Sequence, residues 1–258
     1  MFVSPLPVGQ PAMVPLDALM PGLERASRAV RALALAPGTR LAFPGHDADA
    51  ARLYRVRAGC LALTRQLDAE RRQILDILGP GRFCDGALLA RLHGAAVALA
   101  PTQLEPVDEA SGARASLAAQ SQDVLLIRAL GHVTRLGRQS AGERVAAVLL
   151  DLAAQFAEAW DEEAESLSFP LHLSRGDLAD WLGLTLETVS RCMSRLREDG
   201  LIAFGKEGRL ILQDLATLRR IAVGECKVEA LYAAKGRTAR AGRPARRGAT
   251  TNSAACAT

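Results

Sequence analysis

The stretch Leu173-Ser-Arg-Gly-Asp-Leu-Ala-Asp-Trp-Leu-Gly-Leu-Thr-Leu-Glu-Thr-Val-Ser-Arg-Cys-Met-Ser-Arg-Leu196 spells two short helices joined by a tight turn. Ser174 can cap the first helix, and Asp177, three residues on, can answer as the reciprocal acid of a capping box. Leu178 and Leu182 fall on one face, and Ala179 is small where two helices must approach closely. Gly183 can take the positive φ that ends the first helix. Thr185 can cap the second. Val189, Met193 and Leu196 follow at i, i+4 and i+7 as its inner stripe. The whole is a helix-turn-helix pattern.

On the second helix, Glu187, Ser190 and Arg191 lie off the apolar stripe and towards the N-terminal half, where a recognition helix carries its base-reading side chains. An Arg can bridge guanine O6 and N7, a Glu can accept from cytosine N4, and a Ser can meet either a base or a thymine methyl. Ser174, Arg175, Thr185, Thr188 and Arg195 are candidates for phosphate contacts, which position a helix without reading sequence. Gly200 stops the second helix. Leu201–Phe204 and Arg209–Leu212 then read as two strands around a turn at Gly205-Lys-Glu-Gly208. This is a wing with Lys206 and Arg209 near its tip, and Lys206 joins the phosphate candidates.

Working outwards, residues 140–224 read as the domain that holds this motif. Val145, Val148, Leu149, Leu152 and Phe156 form the stripe of a leading helix, and Asp161, Glu162, Glu163 and Glu165 a solvated loop. Before it, residues 113–139 read as one amphipathic helix. Its stripe of Leu126, Ile127, Leu130 and Val133 needs a cover, and a second copy of the chain supplies one. Residues 23–112 carry short apolar runs between turn signals. These are Arg40–Phe43, Leu53–Val56, Leu61–Thr64 and Arg72–Leu78, with Val97, Leu99 and Leu104 on the last strands. That spacing predicts an all-β barrel or sandwich. Residues 1–22, with Pro5, Pro7, Pro11, Pro15 and Pro21, read as a flexible arm, and residues 225–258 as a basic disordered tail.

The 258 residues carry 32 Lys+Arg and 28 Asp+Glu, a net +4. Six of the basic residues, Lys235, Arg237, Arg240, Arg243, Arg246 and Arg247, fall between 230 and 258 with no acid among them, so the rest has 26 basic against 28 acidic residues. Global charge therefore says little about a DNA surface, and the argument rests on positions. Five cysteines without a CxxC pair make neither a disulfide framework nor a zinc site. No apolar run is long enough to span a membrane, and no Lys or Arg precedes Arg25 to start a secretory signal, so the expected compartment is the cytoplasm. There is no nucleophile–base pattern, Gly-rich phosphate loop or metal spacing, and no enzyme is expected.

The segment 173–204 resembles the winged helix of the Crp/Fnr family of bacterial transcription regulators. Glu187-Thr-Val-Ser-Arg191 is similar to the Fnr/FixK branch, with Leu186 and Ser190 where the cyclic-AMP receptor branch has Arg and Gly. Ala141-Gly-Glu-Arg-Val-Ala146 resembles the family's helix leading into the DNA-binding domain. Pro37-Gly38, Gly45, Leu53-Tyr54, Gly59, Arg71–Leu75 and Pro80-Gly81 resemble its N-terminal β-roll. The resemblance spans roughly residues 24–222. It implies an α+β fold: a cyclic-nucleotide-binding-like β-roll, a long dimerisation helix and a C-terminal winged helix-turn-helix. It further implies a homodimeric regulator, an activator, that reads a TTGAT inverted repeat, contacts RNA polymerase and serves low-oxygen or nitrogen-oxide metabolism.

The same resemblance implies what the roll lacks. The Glu of a cyclic-nucleotide cassette falls on Gly86, and its Arg near Leu92 or His93, with Arg91 out of place, so cyclic AMP is not expected. The iron–sulfur ligands of the oxygen-sensing type have no counterpart before Cys60, and Cys60, Cys84, Cys192, Cys226 and Cys256 show no cluster spacing. His46, His93, His132 and His172 are the only candidates for haem, and no cofactor is identified. Cys192, beside Arg191, is a candidate redox group or a buried inert thiol. A competing reading makes the chain an effector-gated sensor whose winged helix works mainly through protein contacts.

Overall fold

The computed structural model describes residues 32–43, 52–107, 114–158 and 165–226. The proline-rich arm, His46, the acids Asp161, Glu162 and Glu163, and the basic tail lie outside the described residues.

Eight strands build the N-terminal part: β1 (Leu33–Leu35), β2 (Arg40–Ala42), β3 (Leu53–Ala58), β4 (Leu61–Gln66), β5 (Arg72–Leu78), β6 (Phe83–Asp85), β7 (Gly94–Ala98) and β8 (Thr102–Pro106), with helix α1 (Gly86–Arg91) between β6 and β7. They form two four-stranded antiparallel sheets, ordered β1-β8-β3-β6 and β2-β7-β4-β5. Side chains alternate across a strand. Thus Leu61 and Leu63 of β4 join Val56, Leu78, Cys84 and Leu104 in the core between the sheets. Ala62 and its neighbour Cys60 face the other way, into a second core. Both faces of β4 are therefore covered, and Leu61–Thr64 are buried without a break. Leu99, expected on a strand, sits in the turn between β7 and β8. Gly59 makes the β3–β4 turn at φ +90°, where a Cβ would stand 2.3 Å from the Pro101 carbonyl oxygen.

Helix α2 (Arg114–Arg138) follows, then α3 (Ala141–Phe156). The break between them is set by Ser140, whose hydroxyl accepts from the Glu143 amide while the Glu143 carboxylate accepts from the Ser140 amide, a complete capping box. The C-terminal part adds β9 (Leu167–Pro170), α4 (Arg175–Leu182), α5 (Leu186–Glu198), β10 (Ile202–Phe204), β11 (Arg209–Leu212) and α6 (Leu215–Ala222). Its sheet runs β10-β11-β9, so the expected two-stranded wing gains a third strand from upstream of α4.

The second core joins the two parts. It runs without interruption from Cys60, Ala62, Ile74, Ile77 and Ala100 of the roll to Val145, Leu149, Leu178, Trp181, Val189, Met193 and Leu218. Strand β5 is the strut of this junction. At one end Arg72 and Gln73 reach α4. At its middle Asp76 takes Arg128 of α2, at 2.7 and 2.6 Å, and that guanidinium also holds Asp151 of α3 at 2.6 and 2.9 Å. Just past its far end, the Gly79 amide donates to Gln155 Oε1 of α3 at 3.0 Å. Burial alone would raise the Asp151 carboxyl, but Arg128, Arg82 and Arg135 hold it below its ordinary value.

Candidate DNA-binding surface

Helix α4 begins as a capped helix must. Ser174 Oγ accepts from the Asp177 amide at 3.1 Å and donates to Asp177 Oδ2 at 2.6 Å, and the Ser174 amide donates to the same carboxylate at 2.8 Å. It ends at Gly183, in the left-handed region at φ +61°. Two residues later Thr185 opens α5, its Oγ1 accepting from the Thr188 amide at 3.1 Å. Arg144 of α3 ties this turn to the end of α2, donating to the carbonyls of Leu182 at 3.2 Å and Leu136 at 2.8 Å.

Val189, Met193 and Leu196 of α5 are buried against α4. The opposite face is bare. Glu187 and Arg191 form a loose i,i+4 pair at 3.8 Å, with side chains 77% and 71% exposed. Ser190 is partly exposed beside them. An exposed pair held so weakly costs little to open, so both side chains are available to a partner. Thr185 and the hydroxyl of Ser174 stand at the N-termini of α5 and α4, where backbone amides favour an anion. Thr188 shares its hydroxyl with Thr185 at 2.8 Å.

Other expected phosphate contacts are more committed. Arg175 is stacked on the Phe204 ring, 5.0 Å from its centroid. Arg195 faces the buried Asp199 at 3.5 Å, in the last turn of α5. Lys206 is exposed on the wing turn, where Glu207 takes φ +57°. Arg209 is not at the tip: it turns back to Ser168 Oγ at 3.0 Å and to Glu158 at 3.2 Å, because β11 pairs with β9 there. Sequence reasoning gave no role to Leu186, which is 59% exposed at the first turn of α5. Its spacing, three residues before Val189 and seven before Met193, groups it with the inner stripe, so no sequence signal set it apart.

On α2, Leu126, Ile127, Leu130 and Val133 are 57%, 59%, 59% and 64% exposed. Together these four neighbouring aliphatic side chains form an exposed apolar patch. The opposite side of α2, with the roll, bounds a cavity of ≈ 380 Å³ lined mainly by Leu63, Leu78, Phe83, Leu89, Val124 and Leu125, with Arg82 and Asp76 at its wall. Its lining contains no histidine. His93 ends α1, and His172 stands edge-on to Phe156 at 5.3 Å. Burial and then Arg135 push the His132 imidazole below its usual value. Cys192 is half-buried against the core, and burial raises its thiol despite Arg191. Burial pushes the Cys60 and Cys84 thiols up to about 12.

Residues 143–221 match the Crp-like helix-turn-helix domain. The nitrogen fixation regulation protein FixK of Azorhizobium caulinodans is 33% identical over 185 residues, 69% of this chain and 74% of that protein. The chain belongs to the Crp/Fnr family, in its FixK branch. This Crp/Fnr regulator is also similar to the transcriptional activator protein FnrL of Cereibacter sphaeroides, 43% identical over 84 residues, 32% of this chain and 34% of that protein. The structure of FixK2 from Bradyrhizobium japonicum superposes with a TM-score of 0.62 at 27% identity, covering 75% of this chain and 98% of that one. The α+β fold is that of the family, and the chain is a DNA-binding transcription regulator. Among the described residues no helix is long and apolar enough to cross a membrane.

Proposed function

We propose that two copies of this Crp/Fnr regulator pair through α2 and set one α5 each into successive major grooves of a TTGAT inverted repeat. The observation that carries the reading is the exposed pair Glu187 and Arg191, with Ser190 partly exposed beside them, on the N-terminal half of α5. Arg191 reads a guanine in two bonds, Glu187 a cytosine amine, and Leu186 packs on a thymine methyl. The exposed stripe of α2 is the dimer seam, and it sets the half-sites about one helical turn, ~34 Å, apart. Ser174, Thr185, Thr188 and Lys206 hold phosphates, and Arg175 and Arg195 brace the frame from partly buried positions. The FnrL relative, a transcriptional activator by name, supports a role as an activator, and contact with RNA polymerase and service in low-oxygen or nitrogen-oxide gene control follow from the family resemblance alone.

The test is equilibrium binding to a labelled TTGAT inverted-repeat duplex and a scrambled control at one fixed salt concentration, with and without reductant. Specific binding without any added ligand is the expected result. Equal affinity for the scrambled duplex would refute the site. The cavity between the roll and α2 supports a second reading, in which a mainly apolar effector filling it gates binding.

A further inference from the structure

Helix α4 is pinned by two different parts of the molecule. Its C-terminal end is tied to the junction of α2 and α3 through Arg144, whose guanidinium bridges the Leu182 and Leu136 carbonyls. Its body, from Asp177 to Trp181, is tied to the roll. Arg72 of β5 donates from Nε to Asp180 Oδ2 at 2.7 Å and from Nη2 to Asp177 Oδ1. Gln73 donates to the Asp180 carbonyl at 2.6 Å and reaches the Trp181 carbonyl at 3.3 Å.

Asp177 and Asp180 are three apart and so share one face of α4. Asp177 is also the cap acid that answers Ser174. One guanidinium thus holds both the cap and the body of the helix. A planar fork can span two carboxylates in this way, whereas a single ammonium cannot do so with fixed geometry.

The leverage follows from the layout. The carboxylates that take Arg72 sit five and two residues before Leu182, whose carbonyl takes Arg144, so the two ties lie about 3–8 Å apart along the helix axis at 1.5 Å per residue. The Arg144 pin lies beside the pivot between α2 and α3. The Arg72 pin lies nearer the middle of α4, and it is the one that runs to the roll. Helix α5 shares its buried face with α4, so it turns when α4 turns. The bare stripe of α2 fixes the frame of the partner copy, so the angle of α4 to the roll sets the separation of two reading helices.

We infer that Arg72, acting through Asp177 and Asp180, is a positioning residue for DNA recognition that fixes the half-site spacing the protein accepts. It touches no DNA, and it works by holding the helix-turn-helix at one angle to the roll. The inference rests on the TTGAT dimer reading for its DNA consequence, but its structural part does not.

Two measurements test it on the full chain. The first is the distance distribution between nitroxides carried on unnatural amino acids at the exposed positions Gln103, in the roll, and Glu198, in α5. Arg72→Ala and Asp180→Asn broaden this distribution, and Arg72→Lys broadens it less. An unchanged, narrow distribution in both Arg72→Ala and Asp180→Asn overturns the proposal.

The second is affinity for TTGAT inverted-repeat duplexes whose half-site separation is lengthened or shortened by roughly two base pairs, and for a single half-site. Arg72→Ala loses about tenfold of the preference for the original spacing, an ordinary size for coupling between sites. Its affinity for the single half-site stays within about twofold, as for a substitution away from the contact. A role confined to stability would lower both affinities together and leave the spacing ratio intact, and that result also overturns the proposal. If the unmodified protein fails to distinguish TTGAT from scrambled DNA, the site reading falls, and the distance measurement still decides the role of Arg72.

Discussion

Three side chains carry the sharpest expectations. Arg191 is exposed, is held only by Glu187, and has the fork that matches guanine. Arg191→Ala should lose ~1–3 kcal/mol of discrimination at one base pair, seen as relaxed preference in a set of single-substituted duplexes, while non-specific binding changes little. Cys192 is half-buried with its thiol raised, so peroxide should react with it slowly. Cys192→Ser should leave DNA affinity within about twofold, and a large loss on oxidation that the variant escapes would restore the redox role.

Asp151 shows its sign in acid. Its folded pKa lies below the ordinary 3.8, so the stabilisation it contributes is fully present above that value and is lost as pH falls through the folded one. Asp151→Asn leaves Arg128 short of a buried partner and should cost about 3–5 kcal/mol at neutral pH. Chemical denaturation repeated from pH 7 to pH 3 should show the variant's deficit shrinking towards the acid end.

At the scale of elements, the helix-turn-helix was legible because its constraints are local. Cap, acid, small residue, glycine and second cap fall within twelve residues, Ser174 to Thr185, and each has its own chemistry. Thr185→Ala should therefore cost about 1 kcal/mol, measured as a fall in unfolding midpoint, with a matching loss of phosphate contact. Helix α2 was legible by its period, and its stripe gives the next expectation. Leu130→Glu places a charge on an apolar seam, and sedimentation should find single chains at concentrations where the unmodified protein pairs.

Other elements left little trace in the sequence. Strands β1 and β6 are three residues long, too short for a period of two to declare itself. Strand β9 belongs to the wing sheet but lies upstream of the motif, and without it Arg209 read as a free tip residue rather than a partner of Ser168.

The contacts that unite the molecule were the least legible. Arg72 meets Asp177 across 105 positions and Arg128 meets Asp76 across 52, and no local pattern announces either. Arg128 lies off the stripe of Leu126, Ile127, Leu130 and Val133, and nothing local marks it as a buried partner. The composition argued for two parts with a helix between them, and the structure adds that one core spans the junction. Heating should therefore give one cooperative calorimetric transition rather than two, since neither part can lose its packing alone.

That shared core also limits how the chain can be divided. The winged helix is a familiar unit, yet here it is not a detachable one. A fragment beginning at Ser140 would present to water the surface that now meets Cys60, Ala62, Ile74 and Ile77, and it would leave Asp151, Asp177 and Asp180 without their arginines. Such a piece would be prone to clump, so grafting this reader onto another sensor would require redesigning the reader's back before its DNA-facing side.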